Sequence, residues 1–211
     1  MLPRYLTVKT AGSHEIIIQK SRFIAHVNRA ETEEDAQAFI QSIKKEHWNA
    51  THNCSAYLIG ENDLIQKAND DGEPSGTAGI PMLEVLKKRG LKDTVVVVTR
   101  YFGGIKLGAG GLIRAYGRAA SEGIDAVGIV ERRLMNVMKI GIDYTWLGKL
   151  ENELRNQKFL VKNIHYSDQV EIDVYVESEG TGQFSDLITE LTNGQADVSD
   201  GPQEYLEVDV N

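Results

Sequence analysis

TVVVVTRYFGGIKLGAGGLIRAYGRAA, residues 94–120, decides how the first half of this 211-residue chain folds. Val95, Val96, Val97 and Val98 make an unbroken β-branched run, the pattern of a buried strand. The run passes into Arg100, Tyr101 and Phe102 and then into a glycine pair, Gly103 and Gly104. A second cluster, Gly108, Gly110 and Gly111, opens a helix that carries Arg114 and Arg118. A strand, a glycine-rich turn and a helix start leave several backbone N–H groups facing one spot, which is the physical basis of an anion site. Lys106 lies between the two glycine clusters. Arg100 and the two aromatic rings add a cation and π-faces that suit a nucleotide or an RNA segment.

Further along the same helix, Leu112, Tyr116, Ala119, Ala120, Gly123, Ile124 and Val127 fall on one stripe and are expected in the core. Arg114, Arg118, Ser121, Glu122 and Asp125 take the other side, where an Arg118–Glu122 pair contributes only about 0.3–0.5 kcal/mol. Gly117 and Gly123 stand in the helix interior, where each costs about 1 kcal/mol relative to Ala. Close packing against the sheet is the expected reason for both. Packing explains the glycines from Gly103 to Gly111 poorly, because they precede the regular helix.

Upstream, residues 70–79 read DDGEPSGTAG. Asp70, Asp71 and Glu73 are weak candidates for a hard cation such as Mg²⁺, and Ser75 or Thr77 is a candidate cap for the following helix. A solvated acidic turn has the same composition. Pro74 and Pro81 stiffen this loop, which makes it a candidate recognition edge. Cys54 follows His52 closely, but no CxxC or HxxxH spacing accompanies them, and Cys54 opens an apolar strand as a small hydrophobe does. No catalytic constellation is visible, and no cofactor is expected.

The remaining elements follow from period and punctuation. Strands are expected over 5–9, 14–19, 22–28, 54–59 and 64–68, with a Thr32-capped helix over 32–47 and a helix over 78–89 closed by Gly90. Beyond residue 130 the order is strand 133–143, helix 146–156, strands 159–166 and 170–177, helix 183–192 and strand 196–210. That is a ferredoxin-like βαββαβ unit. The fold class is α+β with domains over 1–130 and 131–211. Charge divides in the same way: Lys and Arg number 16 against 15 acids in residues 1–129, but 7 against 16 in residues 130–211, for −8 overall. A general nucleic-acid binder is therefore not expected. One cysteine and no signal or membrane segment point to a cytoplasmic protein with no membrane partner.

The blocks KSRFIA (20–25), ATHNCSAY (50–57), DDGEPSGTAG (70–79) and VVTRYFGGIKLG (97–108) together resemble the IMPACT family in its bacterial two-domain form. The resemblance implies a first domain with the fold of a small-subunit ribosomal protein, of domain IV of elongation factor G and of the GHMP small-molecule kinases. It implies a second domain like the last, ferredoxin-like domain of elongation factor G. The Gly-Leu-Gly-Ser-Ser-Ala signature of those kinases is missing, so kinase activity is not expected. Eukaryotic members of that family regulate translation initiation with an additional N-terminal module; no such module is expected here, so that mechanism is not expected to carry over.

The expected function is that of a non-enzymatic cytosolic regulator touching RNA, the ribosome or translation factors. Its nucleic-acid or anion contacts would be Arg100, Tyr101, Phe102, Gly103, Gly104, Lys106, Gly108, Gly110, Gly111, Arg114 and Arg118. The rim Asp70, Asp71, Glu73, Ser75 and Thr77 would form the recognition loop. Two alternatives stand beside it: a Mg-dependent enzyme or binder of a phosphorylated small molecule or nucleotide, and a protein–protein adaptor using the acidic second domain.

Overall fold

The computed structural model describes residues 1–210 and has a mixed α+β architecture in two compact units. The first unit holds Met1–Arg132 and takes back the chain from Glu207 onward, while the second holds Arg133–Leu206. Lys9 Nζ lies 2.6 Å from Asp209, and Arg29 Nη1 lies 2.5 Å from Glu207. The expected second domain, 131–211, thus gives its last residues to the first unit. Ion pairs between positions this far apart in sequence leave no local signature.

In chain order the first unit contains β1 (Arg4–Val8), β2 (Gly12–Ile18), β3 (Ser21–Arg29), α1 (Glu33–Glu46), β4 (His52–Ile59), β5 (Ile65–Asn69), α2 (Gly79–Lys88), β6 (Thr94–Tyr101) and α3 (Gly108–Val127). Five strands form one antiparallel sheet in the order β2-β3-β6-β4-β5. Side chains alternate across a strand, so Val96, Val98 and Arg100 share a face of the central β6. Val96 and Val98 pack there with Met82 and Leu86 of α2 and with Tyr116 and Ile124 of α3. Val95 and Val97 face the other way, into a core with Ala36, Ile40 and Ile43 of α1. Helices on both faces account for the uninterrupted apolar run of β6.

Local chemistry fixes the helices. Thr32 caps α1 by accepting from the Asp35 N–H at 3.1 Å. The whole expected stripe of α3 is buried, with Ala115 added to it. A Cβ on Gly123 would lie 2.7 Å from the Ala25 side chain, so that glycine is a packing device. Gly117 is not one, because nothing lies within 4 Å of a Cβ built there.

The second unit is entered along β7 (Ile129–Ile142), followed by α4 (Tyr144–Asn156), β8 (Leu160–Tyr166), β9 (Val170–Glu177), α5 (Thr181–Leu191) and β10 (Asp197–Asp209). β9 pairs antiparallel with both β7 and β8, and β10 pairs with β7. Val170, Ile172, Val174 and Val176 point into a core with Leu150, Leu154, Phe184 and Ile188. The opposite row is not uniformly wet: Asp173 is buried there, with His165 Nε2 at 3.5 Å.

Candidate anion-binding cleft

Arg100 is the last residue in the core-facing row of β6, where the apolar core gives way to polar groups. Strand register places it between Phe23 of β3 and His52 of β4. It is only 5% exposed. Nη1 donates to Glu73 Oε1 at 2.6 Å, and the same oxygen accepts from the Tyr116 hydroxyl at 2.8 Å. The guanidinium carbon sits 5.4 Å from the ring centres of both Phe23 and Phe102. Nη2 reaches Ser21 Oγ at 3.5 Å, and the buried Nε has no hydrogen-bond partner among the described residues. Burial and the bond to Glu73 both raise the Tyr116 hydroxyl far above its ordinary pKa, burial being the larger cause.

The 70–79 loop uses its carboxylates to hold itself and its surroundings together. Asp70 Oδ1 accepts from the Ala78 and Gly79 N–H groups at 3.0 and 2.8 Å, and Oδ2 accepts from Gly76 at 2.7 Å. Burial opposes the charge, but these backbone donors outweigh it and hold the Asp70 carboxyl below the usual range. Asp70 is therefore the group that satisfies the start of α2. Neither Ser75 nor Thr77 caps that helix: Ser75 is exposed, and Thr77 donates to the Pro74 carbonyl at 2.6 Å. Asp71 accepts from Lys44 Nζ at 2.6 Å and from the Asn53 N–H at 2.7 Å. The three carboxylates point to different partners. Among the described residues no group of three or more His, Cys, Asp or Glu side chains is placed to hold a metal, which removes Asp70, Asp71 and Glu73 as a joint Mg²⁺ site.

The start of α3 is the opposite case. Leu107 provides no side-chain cap, and no acid stands in the first turn. Among the described residues its leading N–H groups have no internal anion such as α2 has in Asp70. Lys106 precedes it, is exposed, and has no ion-pair partner among the described residues. These features meet the 70–79 loop in one cleft of about 450 Å³, lined by His52, Glu73, Arg100, Phe102, Lys106 and Gly108 among others. That volume falls in the range of small-ligand sites.

Several expected contacts lie elsewhere or serve the fold. Tyr101 points to the α1 face, where its hydroxyl meets His47 Nδ1 at 2.9 Å. Gly103 does have a packing reason: a Cβ there would come within 2.1 Å of the Lys20 backbone. Gly110 and Gly111 belong to the first turn of α3, which starts at Gly108. Arg118 is paired with Glu122 at 2.6 Å, the solvent-face arrangement. Arg114 is exposed on α3, and neither it nor Arg118, Gly104, Gly110 or Gly111 lines the cleft.

In the sequence His52 reads only as a companion of Cys54 and is set aside. Its Nδ1 lies 2.8 Å from the Asp71 carbonyl oxygen. A carbonyl only accepts, so Nδ1 carries the proton and Nε2 keeps the lone pair when the ring is neutral. Nε2 lies 3.8 Å from Glu73 Oε2. The only local signal was position, two residues before Cys54 on a strand whose even-numbered side chains enter the core. Cys54 itself is buried, donates to the Asp70 carbonyl at 3.0 Å, and has its thiol pushed up to about 12 by burial.

Comparison with known proteins places this arrangement in a family. Residues 19–124 match the Impact N-terminal domain, and residues 140–195 match a domain of unknown function, DUF1949. The chain belongs to the IMPACT family. It is 68% identical to the IMPACT family member YvyE of Bacillus subtilis (strain 168), over all of this chain and 97% of that protein. It is 34% identical to the IMPACT family member YigZ of Escherichia coli (strain K12), over 84% of this chain and 88% of that one. A crystal structure of a hypothetical protein, 30% identical, superposes with a TM-score of 0.61 over 94% of this chain and 97% of the other. The Dictyostelium discoideum protein IMPACT homolog matches 43% of this IMPACT-family chain and 27% of its own length, at 37% identity. No described helix is long and apolar enough to cross a membrane.

Proposed function

We propose that this protein is a cytoplasmic regulator that contacts RNA of the translation machinery, by binding a phosphate-bearing segment in the cleft between the 70–79 loop and the start of α3. The carrying observation is the convergence of an uncapped helix N-terminus, Lys106 and the Phe102 ring stacked on Arg100. Phosphate suits the first two and a base suits the third. The fold assignment made from sequence supports the reading. We take the first unit as the domain type shared with a ribosomal protein and domain IV of elongation factor G. The second unit is then ferredoxin-like, in keeping with β9 between β7 and β8 and β10 on β7.

The test is a binding titration against structured RNA and against ribosomes at low salt, repeated with Lys106→Ala and Phe102→Ala. Both variants should bind more weakly, and added salt should weaken every complex, because phosphate contacts release counterions. Absence of binding at low salt, or binding indifferent to both substitutions, removes the proposal. One observation favours a second reading: the site is a cleft of about 450 Å³ instead of an open basic surface. A phosphorylated small molecule or nucleotide fits such a space, and it would raise the thermal midpoint in a screen in which RNA does not.

A further inference from the structure

We propose that the cleft also cleaves the RNA it binds, with the 2′-hydroxyl of the bound nucleotide as nucleophile and His52 as the group that takes its proton. The proposal rests on the RNA reading above and adds a reaction to it. The loop of residues 70–73 is folded around the imidazole. The Asp71 carbonyl fixes the proton on Nδ1, and Glu73 Oε2 lies 3.8 Å from Nε2. Glu73 is itself held through its other oxygen by Arg100 and Tyr116. The Asp71 carbonyl on Nδ1 orients the ring and leaves the Nε2 lone pair as its proton acceptor, and the Glu73 carboxylate 3.8 Å from that same nitrogen would stabilise the imidazolium that forms.

The opposite wall supplies the positive groups that a phosphate ester needs. They are the N–H groups at the start of α3 and the exposed Lys106. Such donors stabilise the charge that develops on the non-bridging phosphate oxygens. An internal nucleophile suits this site because the 2′-hydroxyl arrives on the same nucleotide as the phosphate, with its orientation already restricted.

The step balances with the groups present. The O2′ proton passes to His52 Nε2 as the O2′–P bond forms. The P–O5′ bond breaks, and the departing O5′ takes a proton from the Lys106 ammonium. The products are a 2′,3′-cyclic phosphate and a 5′-hydroxyl end. Exchange with water returns both side chains to their starting states.

The experiment uses the full chain and a short end-labelled single-stranded RNA, with the same sequence as DNA and as 2′-O-methyl RNA. Wild type should bind all three and cut only the first, leaving a cyclic phosphate. His52→Asn keeps an N–H for the Asp71 carbonyl but has no base, so at saturating protein it should cut the bound RNA at least about 100-fold more slowly than wild type. Lys106→Met, at an exposed position, should also slow cutting and guards against a folding defect in the first variant. RNA that is bound but stays intact overturns the proposal, as does equal cutting by His52→Asn or cutting of the 2′-O-methyl strand. Failure to bind any of the three strands removes the RNA reading itself.

Discussion

Arg100 Nη1 and Glu73 Oε1 lie 2.6 Å apart with their side chains only 6% and 4% exposed, and they tie the central strand of the first sheet to the 70–79 loop. A buried pair like this adds little net stability over apolar residues of equal volume, because both charges have lost their water. Removing one partner is another matter. Glu73→Ala leaves Arg100 charged in the interior and should cost about 3–5 kcal/mol. The double change Arg100→Met with Glu73→Leu should cost much less than the two single changes added together. Urea unfolding of wild type, the single variants and the double variant measures this. A single-site cost within about 0.5 kcal/mol, the level of an ordinary surface change, would contradict the buried pair.

Asp70 carries the start of α2 through three backbone donors, so Asp70→Ala should destabilise the fold by about 1–2 kcal/mol, the upper range for a lost cap. Its folded pKa lies below the ordinary carboxylate value. The unfolded state therefore binds the proton more readily than the folded one. The stabilisation is fully present above about pH 4 and fades as pH falls through the folded value. Asp70→Asn should flatten that part of the stability profile, measured by thermal melts from neutral to strongly acidic buffer. An unchanged acid limb would show that Asp70 does not carry it.

The two interior glycines of α3 should respond in opposite directions. Gly117 has open space at the position of a Cβ, so Gly117→Ala should stabilise the protein by about 1 kcal/mol through helix propensity alone. At Gly123 the added methyl would meet Ala25 at 2.7 Å and Val27 at 3.3 Å, and overpacking of this kind costs about 1–3 kcal/mol. Paired unfolding curves decide it, and equal signs at the two positions would refute the packing account.

The element order of both units is legible because each element follows local rules: alternation in β9, a stripe in α3, Thr32 at the start of α1. Arg100 reads as a ligand-facing cation at the strand end; its burial departs from that reading, although period 2 puts it in the row of Val96 and Val98. Its partners are not legible either. Glu73 and Tyr116 come from a loop and a helix on either side of β6, and a tyrosine on an apolar stripe gives no sign that its hydroxyl meets a carboxylate. Asp70 reads as an acid in an acidic turn, because a cap reaching back eight and nine residues matches no capping pattern. His52 gains its fixed tautomer only once the Asp71 carbonyl is folded against it.

Lys106 and Arg118 separate the cleft from the rest of the basic surface. Lys106 lines the cleft, whereas Arg118 lies outside it and is already paired with Glu122. If phosphate is held at the start of α3, Lys106→Ala should lower the slope of log affinity against log salt by about 0.7 for single-stranded RNA, the value for one lost phosphate contact. Arg118→Ala should leave both slope and affinity close to wild type, because its charge is balanced before RNA arrives. Titrations at several salt concentrations measure both variants. Equal losses at the two positions would place the RNA along the outer face of α3 and not in the cleft.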